Sequence, residues 1–165
     1  MKFGLFQSVQ LPEPGAQVKY YKEALEQVLQ TEQLGFDSVW LTEHHFSRHG
    51  IVPASLTVLA YLAGRTTSLR LGTAVAVLPF HNPIRLAEEA ATVDVLSDGR
   101  LDLGVGRGYQ WGEFHKFHIP MEEATRRFEE AMEVMTRAWT AAEPFEHRGE
   151  FWNFNDINSV YPLPS

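Results

Sequence analysis

Short strand-like runs alternate with helical stretches along the chain, and this alternation restricts the fold more than any other feature. Apolar, β-prone runs occupy residues 3–9, 38–41, 70–77 and 101–105. Apolar residues at helical spacing follow these runs over 18–34, 53–64, a stretch that opens at Asn82-Pro83, and 121–141. Four successive βα units predict a parallel sheet with right-handed crossovers.

Two α/β architectures fit this order: an open doubly wound sheet, and part of a (β/α)8 barrel of the TIM type. A complete barrel needs about 200 residues or more, whereas this chain has 165 residues. Periodicity alone does not choose between the two. We expect a single domain over residues 1–165, in which 144–165 forms a hairpin-like extension with strands around Phe145 and Phe151 and a turn at Arg148-Gly149.

Local chemistry marks two helix boundaries. Gly35 follows the first helical stretch, at the position where a glycine commonly ends a helix. Asn82 and Pro83 open the third stretch, with asparagine as the N-cap and proline at the first helical position.

Composition excludes several classes of protein. The net charge of −7 argues against nucleic acid as the main partner, because binding to the phosphate backbone needs a basic stripe. It has no cysteine, which excludes disulfides, thiolate nucleophiles and cysteine metal sites. The N-terminal MKFGLFQSVQ has no apolar stretch of signal-peptide length, and no apolar run approaches the ~18 residues that span a bilayer. We expect a soluble, cytoplasmic protein that binds neither nucleic acid nor membranes.

Chemically capable side chains follow the predicted strands, where α/β proteins place their active sites. Glu43-His44-His45 comes directly after the second strand. An acid beside two histidines would supply a general base near neutral pH. Metal binding by His45 and His49 is a weaker interpretation, because no carboxylate cluster accompanies them. Packing of the loop by one histidine is the simplest alternative.

A glycine-rich run, Gly104-Val-Gly106-Arg107-Gly108, follows the fourth strand. Glycines let a ligand approach the backbone closely, and the arginine fork pairs well with phosphate. The spacing differs from the dinucleotide fingerprint, since the third glycine comes one residue early. A tight strand exit with Arg107 in a salt bridge explains the run equally well. The nearby His115 and His118 are expected to pack in an aromatic loop.

Seven short segments stand in a fixed order along residues 1 to about 151. They are Met1-Lys-Phe-Gly4, Gly35-Phe-Asp-Ser-Val-Trp-Leu41, Glu43-His-His-Phe46, Leu71-Gly-Thr-Ala74, Asn82-Pro-Ile-Arg-Leu-Ala-Glu88, Leu96-Ser-Asp-Gly-Arg100 and Gly104–Gly108. In order and spacing this set resembles the bacterial luciferase family of flavin-dependent monooxygenases.

The resemblance implies a (β/α)8 barrel of which about the first four βα units are present. It also implies reduced FMN from a separate flavin reductase, O2 activation, and a small apolar substrate such as an aldehyde; a deazaflavin, F420, fits the Glu-His-His-Phe motif less well. By the same resemblance His44 is the catalytic histidine, and Arg107, with Gly106 and Gly108, holds the FMN phosphate. The Ala74-Val75 bond matches a family position where a non-proline cis peptide lies under the flavin ring.

Two departures from the family qualify these expectations. Gly106 stands where luciferase itself has a cysteine beside the flavin, which indicates a relative that does not emit light. The chain has the length of about half a barrel, so we expect it to self-associate or to need a C-terminal half. The alternative function is a truncated, non-catalytic flavin-binding or assembly protein.

Overall fold

The computed structural model describes residues 1–158 and 161–164, so Ser159, Val160 and Ser165 of the predicted extension lie outside the described residues. The chain divides into two compact units. The first unit comprises Met1–Ala76 and Leu96–Val105, and the second comprises Val77–Val95 and Gly106–Ser165.

Strands and helices alternate along the first part of the chain, as the sequence predicts. The strands are β1 (Gly4–Gln7), β2 (Ser38–Leu41), β3 (Arg70–Thr73), β4 (Ala76–Val77), β5 (Leu101–Asp102), β6 (Val105–Gly106), β7 (Phe145–Arg148) and β8 (Asn153–Ile157). The α-helices are α1 (Gln17–Gln33), α2 (Ser55–Ala63), α3 (Pro83–Leu96), α4 (Trp111–Lys116) and α5 (Ala124–Thr140). Short 3-10 turns cover Leu78–Phe80 and Met121–Glu123.

The first unit is built on a four-stranded sheet in the order β1-β2-β3-β5. All three strand pairs are parallel, which confirms the parallel sheet predicted from four βα units. Leu41 stands beside both Gln7 and Thr73 in the register, so β1, β2 and β3 end at the same level. The loops that follow these strands therefore emerge along one edge of the sheet.

The two faces of this sheet differ in character. One face is mostly buried, with Val39 and Leu71 at 0% exposure, and helices α1 and α2 pack against the strands. The opposite face carries Trp40 between two glycine positions. A side chain at Gly72 would run into the Trp40 ring, so the absence of one lets the indole lie flat across the strands.

The predicted strand over 70–77 is wrong in its second part. β3 ends at Thr73, the Ala74-Val75 peptide bond is cis, and pairing resumes only at β4. The predicted strand over 101–105 is likewise interrupted between β5 and β6. The reason for the second break is a close approach: a Cβ at Gly104 would collide with the backbone carbonyl of Thr73.

In the second unit, helix α3 begins where the sequence predicts. The Asn82 side-chain oxygen accepts hydrogen bonds from the backbone N–H groups of Ile84 and Arg85, at 3.0 and 3.2 Å. The Trp139 indole on helix α5 donates to the Ala87 carbonyl of α3 at 3.2 Å. The Asn-Pro signature was sufficient because capping is a local interaction.

The predicted hairpin is present as the antiparallel pair β7–β8, with Arg148 opposite Asn153. Its second strand begins at Asn153, two residues after the predicted centre at Phe151. The shift has a physical cause. The backbone N–H groups of Phe151 and Trp152 donate to the Glu130 carboxylate on α5, at 3.0 and 2.9 Å, instead of joining the ladder. Among the described residues, no helix has the length and apolar character needed to cross a bilayer.

Candidate functional site

The loops after β2 and β3 adjoin along one edge of the first unit's sheet. Glu43-His44-His45 follows β2, and Ala74-Val75 follows β3. The Ala74 N–H donates to the Leu41 carbonyl at 2.7 Å, which fixes the start of one loop beside the end of the neighbouring strand. The structure thus places His44, Ala74 and Val75 of the predicted site on adjacent loops.

The two neighbouring histidines have different surroundings. The Nε2 of His45 lies 3.0 Å from Oε1 of Glu43, and Glu43 is buried, with 4% of its surface exposed. Glu43 therefore fixes His45. The ring of His44 is half-buried, and its backbone N–H donates to the Val52 carbonyl at 3.1 Å. In the described part of the chain, no group of three or more His, Cys, Asp or Glu side chains is arranged to hold a metal ion.

The loop that carries His44 is tied to the loop after β1. The Ile51 N–H donates to the Val9 carbonyl at 2.8 Å, and the Leu11 N–H donates to the Arg48 carbonyl at 2.8 Å. The Tyr21 hydroxyl on α1 donates to the Ile51 carbonyl at 2.6 Å. Burial raises the pKa of Tyr21, which keeps this phenol protonated and able to donate. These bonds tie the loop that carries His44 to the loop after β1 and to helix α1.

The loop after β3 is fixed just as firmly. The Thr73 hydroxyl and the Ala76 N–H both donate to the Gly104 carbonyl, at 2.7 and 2.9 Å. The Val75 side chain remains 37% exposed. An exposed apolar side chain on a rigid loop is suited to support a flat, apolar ligand.

The predicted phosphate residues lie in the second unit. Gly106 closes β6, and the Arg107 side chain is exposed. No hydrogen bond or ion pair joins the Arg107 guanidinium to any of residues 1–158 and 161–164. Its donors therefore remain available to an anion, and the alternative of a structural salt bridge finds no support among those residues.

Gly108 shapes the backbone next to this arginine. Its φ is +76°, in the left-handed region that favours glycine. A Cβ there would lie 2.8 Å from Val77 Cγ1 and 2.9 Å from Phe114 Cε2. Phe114 is 1% exposed and has no room to retreat. Gly108 is thus required by both backbone conformation and packing.

The sequence does not predict helix α4, because six residues are too few to give a periodic signal and its aromatic residues suggest a loop. A signal was present: Glu113 stands in its first turn and His115 and Lys116 in its last, as the helix dipole favours. The His115 ring stacks on Trp111 with centroids 4.8 Å apart and planes 11° apart. His115 thus contacts an aromatic side chain, but both residues are exposed and lie in a helix, so the expected packing within a loop is wrong.

Two features of the first-unit site were also missed. The Thr42 hydroxyl oxygen, directly before Glu43, is buried without a hydrogen-bond partner among the described residues. Gly50 lies in contact range of the His44 ring. Neither follows from a sequence pattern, because burial of one hydroxyl and a contact six residues away depend on how the loop folds.

Comparison with known proteins gives a consistent result. The model of the luciferase-like monooxygenase family matches residues 1–165. The oxygenase component of the flavin-dependent trigonelline monooxygenase of Acinetobacter baylyi is 35% identical over 167 residues, 99% of this chain and 46% of that protein. The alkanal monooxygenase β chain of Photorhabdus luminescens is 33% identical over 158 residues, 96% of this chain and 48% of that protein.

Solved structures of similar fold agree with this family match. Monooxygenase RslO1 from Streptomyces bottropensis has a TM-score of 0.91 at 34% identity, over 99% of this chain and 50% of that one. Two more distant structures share the fold. One is the oxygenating constituent of 3,6-diketocamphane monooxygenase from Pseudomonas putida in complex with FMN, at 22% identity, TM-score 0.87 and 93% and 43% coverage. The other is an F420-dependent secondary alcohol dehydrogenase, at 23% identity, TM-score 0.81 and 99% and 49% coverage.

The chain spans about half the length of the curated relatives it matches, 46% and 48% of the two named. The match covers the strand-end loops with His44, Ala74 and Val75 and the glycine-rich run with Arg107. By its family match and by its identity to these relatives, the chain belongs to the luciferase-like monooxygenase family.

Proposed function

We propose that the chain provides the first four βα units of a single (β/α)8-barrel domain, the oxygenase component of a two-component flavin-dependent monooxygenase. The parallel order β1-β2-β3-β5 supports this proposal, since a barrel continues the same order around a closed sheet. In such a barrel, strands from a C-terminal half or from a second copy of the chain would pair with β1 and β5.

The proposed cofactor is reduced FMN, delivered by a separate flavin reductase. The observation that carries this choice is Arg107, an exposed guanidinium without a partner among the described residues. A guanidinium binds phosphate through two parallel charge-assisted hydrogen bonds. Gly106 and Gly108 would allow the phosphate to approach the backbone. F420 remains the less favoured alternative, because Glu43-His-His-Phe46 resembles the FMN branch of the family.

In the first unit, Ala74 and Val75 would support the flavin ring and His44 would move a proton. When bound, the reduced flavin supplies two electrons, so that one atom of O2 enters the substrate and the other leaves as water. An imidazole takes up and releases protons near neutral pH. His44 lies at the carboxyl edge of the sheet, while its neighbour His45 is held by Glu43.

The proposed substrate is a small apolar molecule such as an aldehyde. The name of the Photorhabdus relative, an alkanal monooxygenase, supports an aldehyde, whereas the Acinetobacter relative is named for trigonelline. Decanal and trigonelline are therefore the two probes for a turnover assay with NADH, a flavin reductase and FMN. Flavin binding without turnover of either probe would favour the alternative, a non-catalytic flavin-binding or assembly protein.

The phosphate role is tested by anaerobic titration with reduced FMN and reduced riboflavin, which differ by the phosphate. Arg107→Ala should weaken FMN binding by about 10- to 100-fold, the loss expected for a charged hydrogen bond, and leave riboflavin unchanged. Arg65→Ala is the matched control, because Arg65 lies before β3, at the amino ends of the strands. Equal weakening of both flavins by Arg107→Ala would show that the phosphate role is wrong.

A further inference from the structure

We propose that Gly50 is a positioning residue for His44, because the space left by its missing side chain is the space that the imidazole needs. This inference rests on the proposed role of His44 as the group that moves a proton. It adds a residue that touches neither flavin nor substrate and acts only through the ring of His44.

The contact distances carry the inference. A Cβ added at Gly50 would lie 2.6 Å from Cδ2 of His44, 2.8 Å from its Cβ and 2.9 Å from its Cγ. Non-bonded carbon atoms prefer separations of about 3.5–4.0 Å. Gly50 itself is buried. An alanine at this position would therefore displace both the ring and the root of the His44 side chain.

Backbone conformation does not explain the glycine. The glycines with positive φ are Gly15, Gly35, Gly99 and Gly108, and Gly50 is not among them. An alanine at position 50 would be acceptable to the backbone itself. Position 50 excludes a side chain because the Cβ would collide with His44.

The loop between the two residues has little freedom to absorb the collision. The His44 N–H is bonded to the Val52 carbonyl at 3.1 Å, and the Ile51 N–H is bonded to the Val9 carbonyl at 2.8 Å. Tyr21 holds the Ile51 carbonyl at 2.6 Å. Because hydrogen bonds anchor the backbone on the far side of Gly50, the imidazole is the part that moves.

The test follows the imidazole directly, in the full chain labelled at histidine. Gly50→Ala should shift the Cδ2–Hδ2 NMR resonance of His44, assigned by its loss in His44→Gln, and leave that of His147 in place. With reductase, FMN and decanal, it should lower kcat by about 10- to 100-fold, as expected for a displaced catalytic group, at unchanged affinity for reduced FMN. Gly64→Ala is the control, because a Cβ there meets only the Tyr61 carbonyl, at 3.8 Å.

A second variant keeps the proposal testable if Gly50→Ala folds poorly. His44→Gly removes all three colliding atoms. In that background Gly50→Ala should lower the urea midpoint no more than Gly64→Ala does. An unmoved His44 resonance, or an equal loss of midpoint in both backgrounds, would overturn the positioning role. A shifted His44 resonance with unchanged kcat would support the positioning role of Gly50. It would show instead that the proposed role of His44 is wrong.

Discussion

At the scale of single residues, Glu32 shows how one carboxylate holds a segment of chain. Its Oε1 accepts the backbone N–H groups of Thr67, Ser68 and Leu69, at 2.8, 2.7 and 3.0 Å, just before β3 begins. Burial by itself would raise the pKa of Glu32, but the backbone hydrogen bonds from Ser68, Leu69 and Thr67 and the Ser68 hydroxyl outweigh it. They lower the pKa of Glu32 to about 2, from an ordinary value of 4.5.

A prediction follows for acid stability. The folded-state pKa lies below the unfolded value, so ionised Glu32 stabilises the fold above pH 4.5, and this contribution is lost as the pH falls toward about 2. Glu32→Gln should lower the free energy of unfolding by about 1 kcal/mol at pH 7, and the difference from the wild type should shrink between pH 4.5 and 2. Urea titrations at several pH values measure it.

The control for this prediction is Glu26→Gln, which changes an exposed glutamate on the same helix. It should leave the urea midpoint unchanged at every pH. If the loss caused by Glu32→Gln were the same at pH 3 and at pH 7, the charge of Glu32 would not be what stabilises the segment.

The positions of His44 and Arg107 directly after strands could be predicted, because strand ends can be recognised from sequence. Their proposed roles come from the resemblance to the family. Gly50 could not be assigned, since its importance depends on a contact with His44 that exists only after the loop folds. The same holds for Thr42, whose hydroxyl becomes unpaired only through burial.

At the scale of elements, Glu130 joins helix α5 to the hairpin β7–β8. Its Oε1 accepts from Trp152 N–H at 2.9 Å and lies 3.0 Å from His147 Nε2, and its Oε2 accepts from Phe151 N–H at 3.0 Å. Burial opposes ionisation, but the bonds from His147, Trp152 and Phe151 prevail and lower the pKa of Glu130. The carboxylate therefore stays ionised at neutral pH and accepts the backbone N–H groups between the two strands of the hairpin.

We predict that Glu130→Ala loosens the hairpin turn. Without the carboxylate, the N–H groups of Phe151 and Trp152 lose their acceptors, and each lost hydrogen bond to a charged group costs about 1.5–3 kcal/mol. Amide hydrogen exchange of these two residues should become faster, while exchange within the first unit stays constant. Glu129→Ala, at the adjacent exposed position, is the control. Unchanged protection in Glu130→Ala would contradict the role.

Helices and strands could be predicted where apolar residues recur periodically or where a capping residue marks a helix start. Their boundaries could not be predicted where they depend on contacts between residues far apart in the sequence. The start of α3 was predicted because Asn82 caps its own helix. The break in the predicted strand 101–105 depends on the approach of Gly104 to Thr73, which are 31 residues apart. No local sequence pattern predicts such a contact.

At the scale of the whole molecule, the sheet of the first unit has two edge strands, β1 and β5. Phe6 on β1 is 63% exposed, on the same face as the half-buried Trp40. An edge strand with an exposed aromatic side chain is a site for pairing with another chain. The proposed half-barrel therefore predicts that β1 and β5 pair with strands from another chain or from a C-terminal half.

We predict that the chain self-associates unless a C-terminal half is supplied. Light scattering at micromolar concentration should give a mass above the 18.7 kDa of one chain. Phe6→Lys should shift the mass toward the monomer, because a charge on the edge strand opposes pairing. Leu34→Lys is the control, since Leu34 is 76% exposed but follows the end of α1 and is not part of a strand. A wild-type chain that is monomeric at this concentration would contradict the prediction. If Phe6→Lys and Leu34→Lys lowered the mass equally, the association would depend on general surface hydrophobicity and not on β1.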